Sequence, residues 1–258
     1  MFNTILVTGG AGFIGSNFLY FLKNVTDDRI IVLDNITYAG KETNIPDGVE
    51  FIWCDISDKE HVDYIFEKVK PTKVFNFAAE SHVDNSIRDV TPFIKTNIIG
   101  TTNLLSSSVA VGVEKFHHVS TSSSNNYGPR QHPEKLIPKI ILNGMNDTVT
   151  NMYGGGHQVR DWIHVLDHCT AIWSLEEKKV INDKFNIGGA CEVTNMDITK
   201  KILDILDKPH SLIGQSDERP GQDQRYGTDF SKLTEKTGWF PGVEFNRGLA
   251  ETVKWYLD

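Results

Sequence analysis

The 258-residue sequence has little cysteine, no excess of basic residues and no long hydrophobic run. Its three cysteines, Cys54, Cys169 and Cys191, are widely spaced, which argues against a disulfide framework and indicates reduced thiols. The net charge of −8 disfavours a nucleic-acid partner, because no basic stripe offsets it. No apolar run approaches the ~20 residues of a membrane span. A strand is predicted from Thr4 onward, so we expect no signal peptide and a cytoplasmic protein.

A glycine-rich run at residues 8–15, Thr-Gly-Gly-Ala-Gly-Phe-Ile-Gly, is the most informative segment. It follows the apolar run 5–7 and opens an amphipathic helical pattern. A glycine turn between a strand and a helix lets backbone N–H groups approach a pyrophosphate, and the positive end of the helix dipole favours that anion. The pattern therefore predicts a dinucleotide site that includes Gly9, Gly12 and Gly15.

Asp34 is the acidic residue that we expect to distinguish NAD from NADP. Asp34 ends the apolar run 30–33 and lies about 20 residues beyond the glycines, where a carboxylate meets the adenosine ribose hydroxyls. The same carboxylate would repel the 2′-phosphate of NADP. The sequence therefore predicts NAD as the cofactor.

Strand and helix patterns alternate over the first half of the chain, which predicts an α/β fold with a Rossmann-like, doubly wound parallel sheet. The predicted strands span residues 4–8, 29–34, 49–54, 73–77 and 115–120. We expect a dinucleotide-binding domain at 1–128, shortened after the fifth strand. A small C-terminal α/β lobe at 129–258 would mostly bind substrate, with some elements that return to the core.

Two helices of the first domain have sequence signatures of their own. The first begins after Ser57, with a capping box completed by Glu60. The second runs over about 91–111 and carries apolar residues near one face, namely Ile94, Ile98, Leu105 and Val109.

Further motifs extend through the rest of the chain. They are Asp-Asn-Ile-Thr-Tyr-Ala-Gly at 34–40, Phe-Ala-Ala-Glu-Ser-His-Val-Asp at 77–84, Ser-Asn-Asn-Tyr-Gly-Pro at 124–129, Pro-Glu-Lys-Leu-Ile-Pro at 133–138, Arg-Asp-Trp at 160–162, Asn-Ile-Gly-Gly at 186–189 and Arg-Pro-Gly at 219–221. With the glycine loop, they closely resemble the dTDP-glucose 4,6-dehydratases. These are NAD-dependent extended short-chain dehydrogenases of deoxysugar biosynthesis. The resemblance implies a lyase that oxidises a nucleotide sugar at C4, removes water across C5 and C6, and returns the hydride to C6.

Carried over residue by residue, the resemblance implies two binding sets. Besides the three glycines, the NAD contacts would be Phe13, Ile14, Asp34, Asn35, Asp55, Ile56, Ala79, Ser81, Thr96 and Asn126. The substrate would be dTDP- or UDP-glucose, and its diphosphate suits arginine, whose fork binds two oxygens at once. The nucleotide-sugar contacts would be Asn125, Lys135, Leu136, Tyr153, Arg160, Asn195 and Arg219. Gln222 and Asn85 depart from the family, which usually has histidine and arginine at these positions.

A larger departure lies in the serine run at 120–124. In the family, Ser-Thr after the fifth strand is followed by Asp-Glu, then by a long segment with a Tyr-x-x-x-Lys helix and a sixth strand. Here the Ser-Thr pair at 120–121 is followed almost directly by the Ser-Asn-Asn-Tyr-Gly motif, without the long segment. Ser122 and Ser123 therefore occupy the positions of the family's acid and base. Thr121 alone remains of the catalytic run. We therefore expect little or no dehydratase turnover from the chain as written.

Other reactive residue types have simpler interpretations. The pair Tyr64 and Lys68 matches Tyr-x-x-x-Lys, but it falls on the helix after the third strand, on the adenine side of the sheet. His164 and His168 are four residues apart, yet His164 lies in a strand pattern without a third ligand nearby, so no metal is predicted. We assign the serine run to a linker, because no histidine–carboxylate pair accompanies it.

Three hypotheses follow. The first is a dehydratase-like protein that keeps the NAD site and much of the nucleotide-sugar site but is catalytically impaired. The second is an active lyase from whose sequence a segment has been omitted. The third is a non-catalytic binding protein. This third candidate is either a cofactor-sensing regulator or a subunit that pairs with a full-length homologue. The shortened sheet leaves an apolar edge uncovered, which favours aggregation or a partner, and a homodimer is the other open assembly.

Overall fold

The computed structural model of the chain describes residues 3–81, 87–120, 123–217, 221 and 223–258. It divides into two compact units, Met1–Thr121 and Ser122–Asp258. The division falls before the boundary that the sequence placed after residue 128, because strand β6 (Asn125–Tyr127) pairs with a strand of the second unit.

A parallel five-stranded sheet forms the centre of the first unit, with strand order β3-β2-β1-β4-β5. The predicted α/β class is confirmed. Apolar side chains fill the strands because both faces of such a sheet are covered; Leu6, Ile31 and Val74 are fully buried. The strands are β1 (Thr4–Thr8), β2 (Arg29–Asp34), β3 (Glu50–Trp53), β4 (Lys73–Asn76) and β5 (Lys115–His118).

The helices of the first unit follow the strands. Helix α1 (Phe13–Val25) begins directly after the glycine loop, and α2 (Lys59–Val69) begins one residue later than the predicted capping box requires. The cap of α2 is Asp58, whose carboxylate accepts a hydrogen bond from the backbone N–H of His61. The predicted Ser57 and Glu60 box is therefore wrong: the stronger acceptor next to Ser57 takes the capping position.

A continuous helical run then connects β4 to β5. It consists of Thr91–Phe93, a π-helical segment at Ile94–Gly100, and α3 (Thr101–Val111). The apolar residues that the sequence placed near one face do share a face, but that face is exposed: Ile98 is 61% and Val109 is 84% accessible, and Ile94 and Leu105 are also exposed. We call these four residues the apolar stripe.

The side of α3 that faces α2 buries small polar residues, whereas the apolar stripe is exposed. The hydroxyl of Ser107 donates to the Asp63 carboxylate, and the Asn103 amide donates to the carbonyl of Ile56 at 3.0 Å. Close approach to α2 therefore depends on short side chains that satisfy their own hydrogen bonds.

The second unit contains shorter strands and five α-helices among its described residues. A parallel sheet has the order β11-β8-β6, with β9 antiparallel to β8, and β7 pairs with β10. Its strands are β6 (Asn125–Tyr127), β7 (Thr150–Tyr153), β8 (Val159–His164), β9 (Glu192–Thr194), β10 (Ile213–Ser216) and β11 (Arg225–Tyr226), and its helices are α4 (Leu136–Met145), α5 (Val165–Glu177), α6 (Asn195–Ile205), α7 (Ser231–Thr237) and α8 (Phe245–Leu257).

Apolar faces of α4, α6 and α8 form the core of this unit. Ile140, Ile198 and Val253 each contribute one fully or almost fully buried side chain. Within the described ranges, no helix has the length and apolar character needed to cross a membrane.

Candidate functional site

The glycine loop joins the carboxyl end of β1 to the first turn of α1. Gly9 has a φ of +69°, and a Cβ there would lie 2.5 Å from the backbone nitrogen of Ala78. A Cβ on Gly15 would lie 2.2 Å from the carbonyl oxygen of Gly9. These two glycines are therefore required by the fold itself, whatever ligand binds.

Gly12 differs from its neighbours. A Cβ on Gly12 would meet only the Gly9 oxygen, at 3.3 Å. Gly12 is also the N-cap of α1, and no side chain caps that helix end. The N–H groups of the first turn, at Phe13, Ile14 and Gly15, thus lack an intrahelical acceptor and favour an anion. These N–H groups beside Gly12 are of the kind that bind the phosphates of a ligand.

A cavity opens beside this loop, at the carboxyl ends of β1, β2, β3 and β4. Eight residues of the predicted NAD set line it: Gly9, Gly12, Asp34, Asn35, Asp55, Ile56, Ala79 and Thr96. Phe13, Ile14 and Gly15 continue from the loop into α1 without lining the cavity. Ser81 follows the last lining residue of its segment, Glu80. Asn126 lies in the second unit, on β6.

Eight lining residues were not singled out from the sequence. Six of them belong to the motifs at 34–40 and 77–84, and this membership could have identified them as cavity residues. The other two, Leu33 and Cys54, lie near the end of β2 and just after β3. The eight are Leu33, Thr37, Ala39, Gly40, Cys54, Phe77, Ala78 and Glu80.

The Asp34 carboxylate ties the glycine loop to the segment after β2. Its Oδ2 accepts from the N–H of Ala11 at 2.9 Å, and its Oδ1 accepts from the N–H of Ile36 at 2.8 Å. Burial raises the pKa of Asp34, and these backbone hydrogen bonds oppose the rise. Each carboxylate oxygen keeps a second lone pair for a ribose hydroxyl.

The next strand end provides a second acid. Asp55 follows β3 and lines the cavity, and its Oδ1 accepts from the N–H of Ser57 at 2.8 Å. Burial and the charges of Asp55 and Asp58 raise the pKa of the neighbouring Cys54 thiol to about 12, which disfavours its thiolate form. A short acid in this position suits the amino group of an adenine.

The π-helical segment positions Thr96 at the cavity. The adjacent Asn97 side chain clamps the chain after β4: its Oδ1 accepts from the N–H of Glu80 at 2.9 Å, and its Nδ2 donates to the Glu80 carbonyl at 3.0 Å. π-Helical insertions are frequent at functional sites, since the extra residue redirects side chains. Here the insertion fixes both Thr96 and the loop at 78–81.

In the second unit, Asn125 and Arg160 lie on neighbouring strands of one sheet. Arg160 is only 7% accessible; its guanidinium donates to the carbonyls of Val159, at 2.8 Å, and Asp223, at 2.7 Å. Tyr226, which the sequence did not single out, contacts both: the Arg160 guanidinium carbon is 4.8 Å from its ring centre, and its hydroxyl donates to Asn125.

The other predicted substrate contacts are more dispersed. Lys135 precedes α4, and its Nζ lies 3.3 Å from the Glu134 carboxylate. Leu136 packs against the core of the unit, and Tyr153 is half exposed. Asn195 begins α6, and its buried Oδ1 has no partner among the described residues. Arg219 lies outside the described residues, as does the departure at Gln222.

The serine run is described only in part. Thr121 and Ser122 lie outside the described residues, as does Asn85. The Ser124 hydroxyl donates to the buried carboxylate of Asp161, which also accepts from the N–H groups of Gly189, at 3.0 Å, and Cys191, at 2.9 Å. Ser124 therefore anchors the start of β6.

Structural partners exist for the two pairs that the sequence set aside, Tyr64 with Lys68 and His164 with His168, and for Tyr127 of the motif at 124–129. The Lys68 Nζ lies 5.6 Å from the Tyr64 ring centre, and Tyr64 is exposed on α2. Tyr127 is buried, which raises its pKa, and its hydroxyl lies 3.5 Å from the carbonyl of Phe245. His164 caps α5, while the Nδ1 of His168 lies 2.9 Å from the Oδ1 of Asn126.

Comparison with known proteins places these features in a family. The model described as GDP-mannose 4,6 dehydratase matches residues 6–124 and 123–252. The chain belongs to this dehydratase family. A dTDP-glucose 4,6-dehydratase of Neisseria gonorrhoeae is 34% identical over 330 residues, covering 98% of this chain and 95% of the relative.

Solved structures of family members and epimerases have the same fold. The dTDP-glucose 4,6-dehydratase of Streptomyces venezuelae, solved with NAD bound, is 34% identical with a TM-score of 0.91, covering 98% of this chain and 97% of that one. The UDP-glucose 4-epimerase of Thermotoga maritima, solved with UDP-glucose, is 28% identical with a TM-score of 0.92, covering 98% of both chains. The resemblance to dTDP-glucose 4,6-dehydratases is confirmed.

The matches also locate the departure from the family. The alignment with the Neisseria gonorrhoeae dehydratase extends over 330 residues, more than the 258 of this chain, so the relative has positions without a counterpart here. The two segments of the family match meet at residues 123–124, inside the serine run.

Proposed function

We propose that this chain is a dTDP-glucose 4,6-dehydratase-like protein that holds NAD in its first unit and a nucleoside diphosphate sugar, dTDP- or UDP-glucose, in its second. The carrying observation is the uncapped end of helix α1 at Gly12, beside a cavity lined by two carboxylates. This combination matches a dinucleotide, because it offers N–H groups to the pyrophosphate and acids to the adenosine.

The residues present fit NAD. Gly12 and the first turn of α1 would hold the pyrophosphate, Asp34 the adenosine ribose, and Asp55 the adenine amino group. Bound NAD would accept the hydride from sugar C4 and return it at C6. Asp34 already accepts two backbone hydrogen bonds, which hold its carboxylate in place before the cofactor binds.

The buried Arg160 supports an anionic ligand in the second unit. Its guanidinium is always charged, yet no described carboxylate forms an ion pair with it, and its partners are carbonyl oxygens and a ring face. A buried cation without a direct carboxylate partner among the described residues is costly, and a diphosphate would supply one. Arg219 would supply a second cation, as the family resemblance implies.

The proposal includes impaired turnover. The acid and base positions hold Ser122 and Ser123, and the segment with the tyrosine and lysine has no counterpart in the chain. No group then remains to deprotonate the C4 hydroxyl or to drive dehydration. Its rival is an active enzyme whose sequence lacks a segment of the working protein. The two differ in intact mass, which is 29.0 kDa for the chain as written.

The exposed apolar stripe supports a protein partner, either a second copy of this chain or a full-length homologue. Residues 94, 98, 105 and 109 are separated by four, seven and four residues, a spacing of about one, two and one helical turns, so they lie near one face of the helical run. We also propose a cytoplasmic location, which the unpaired thiols support. Sedimentation of purified protein would give a monomer if the stripe has no partner.

Direct binding tests the proposed function. Calorimetry with purified chain of verified mass should show one NAD site and one dTDP or UDP site. A chain that bound NAD but neither nucleoside diphosphate would be a cofactor-binding protein only, and a chain that bound neither would contradict both halves of the proposal.

A further inference from the structure

Tyr226 joins two residues of the second unit that the family resemblance assigns to the nucleotide sugar. It lies on β11, where its register partner on β8 is Arg160. The Arg160 guanidinium carbon lies 4.8 Å from the centre of the Tyr226 ring, and the Tyr226 hydroxyl donates to Oδ1 of Asn125 on β6. One aromatic side chain thus spans three strands of the same sheet.

The ring restricts the orientation of the guanidinium. Each terminal nitrogen of Arg160 donates to one backbone carbonyl, and the Tyr226 ring covers a face of the guanidinium. A ring quadrupole attracts a cation without neutralising it, so the positive charge remains available to an anion. The N–H groups of Arg160 that have no partner among the described residues are held for that anion.

The hydroxyl fixes the orientation of Asn125. Since Oδ1 of Asn125 accepts the Tyr226 hydrogen bond, the amide nitrogen is left to donate, and no described residue accepts from it. Burial raises the pKa of Tyr226, with Arg160 and the Asn125 hydrogen bond opposing the rise. The hydroxyl therefore stays protonated, and donates, throughout the neutral range.

We infer that Tyr226 is a positioning residue of the nucleoside diphosphate site, which presents the Asn125 amide and the Arg160 guanidinium together as donors to one anionic ligand. The inference rests on the proposed function of the second unit. It assigns a role to a residue that contacts the ligand only through its two neighbours.

Two substitutions separate the contributions of the ring and the hydroxyl. Tyr226→Phe keeps the ring below Arg160 and should weaken dTDP binding about fivefold, as the loss of one hydrogen bond does. Tyr226→Leu removes both contacts and should weaken it about 30-fold. The matched control is Tyr256→Phe, which removes the 2.5 Å hydrogen bond from another tyrosine to the carbonyl of Gln131. It should leave dTDP affinity unchanged, and all three variants should keep the parent's NAD affinity.

A double-mutant cycle distinguishes positioning from general structural support. If Tyr226 acts through Asn125, then adding Tyr226→Phe to Asn125→Ala should cause no further loss of dTDP affinity. Parent-like binding by Tyr226→Leu, fully additive losses in the cycle, or an equal loss of NAD affinity would overturn the inference. Failure of the parent itself to bind dTDP or UDP would instead overturn the proposed function, and the inference with it.

Discussion

The Asp34 carboxylate accepts a hydrogen bond from the backbone N–H of Ala11, at 2.9 Å, and so connects the end of β2 to the glycine loop. The residue expected to select the cofactor therefore also supports the loop that would hold the cofactor's pyrophosphate. Substitution of Asp34 would change both the preference for NAD over NADP and the support of the glycine loop. The variants Asp34→Asn and Asp34→Ala separate these two effects.

NAD should bind more tightly than NADP, because the 2′-phosphate would lie beside Asp34 and like charges in contact cost several kcal/mol. Asp34→Asn removes the charge but keeps an oxygen for the Ala11 N–H, and it should narrow the preference by about tenfold or more. Asp34→Ala should narrow it similarly and also weaken NAD binding, because the loop loses its support. Calorimetric affinities for both cofactors test this, and equal NAD and NADP affinities in the parent would refute the assignment.

Gly12→Ala and Gly15→Ala should have different effects. A Cβ at Gly12 meets one backbone oxygen at 3.3 Å, so this variant should lose less stability than Gly15→Ala but should lose NAD binding. A Cβ at Gly15 would lie 2.2 Å from the Gly9 oxygen and should destabilise the protein by about 1–3 kcal/mol. Denaturant unfolding and NAD titration on both variants measure the contrast. Tight NAD binding by Gly12→Ala would place the pyrophosphate elsewhere.

Arg160→Ala should weaken dTDP binding by about 1.5–3 kcal/mol, the usual range for a hydrogen bond to a charged group. Arg225→Ala is the matched control: Arg225 is the neighbour of Tyr226 on β11, and its exposed ion pair with Glu192 contributes little. Arg219→Ala, predicted from the family resemblance, should behave like Arg160→Ala. If Arg160→Ala and Arg219→Ala both bound dTDP as tightly as the parent does, the assigned nucleotide-sugar site would be wrong.

Stability should fall in mild acid because of His168. Burial lowers the pKa of His168 to about 4, against the ordinary value near 6.5 in the unfolded chain. The unfolded chain therefore takes up this proton first, so the stability present above pH 6.5 is lost as the pH falls towards 4. His168→Gln should reduce that slope by up to about 1.4 kcal/mol per pH unit. Urea unfolding from pH 7 to pH 4.5 compares the two proteins, and identical slopes would contradict this account.

Much of the first unit was predictable because its signals are local. The apolar runs that form β1 and β2 gave their bounds directly, and the glycine loop followed from the spacing of three glycines. The cap of α2 was missed because Ser57 and Asp58 are adjacent and both are good caps. Only the folded chain shows that the Asp58 carboxylate takes the position.

The remaining differences come from contacts between distant residues. Periodicity identifies the apolar stripe, yet it does not tell whether that face covers the chain's own core or stays exposed. Tyr226 was missed because its role depends on the pairing of a two-residue strand with Arg160, far away in the sequence. The buried polar residues of α3 likewise depend on acceptors supplied by and near α2.

The turnover of protein with a verified mass of 29.0 kDa tests the central claim most directly. With dTDP-glucose and NAD, such protein should bind both but form no detectable 4-keto-6-deoxy sugar, and no NADH absorbance should develop in a single-turnover mixture. Each positioned acid or base typically contributes 10²–10⁴-fold to the rate, and the family resemblance assigns several of these groups to positions that this chain lacks or fills with serine. A robust 4-keto product from the 29.0 kDa chain would contradict the account and show that other residues perform the chemistry.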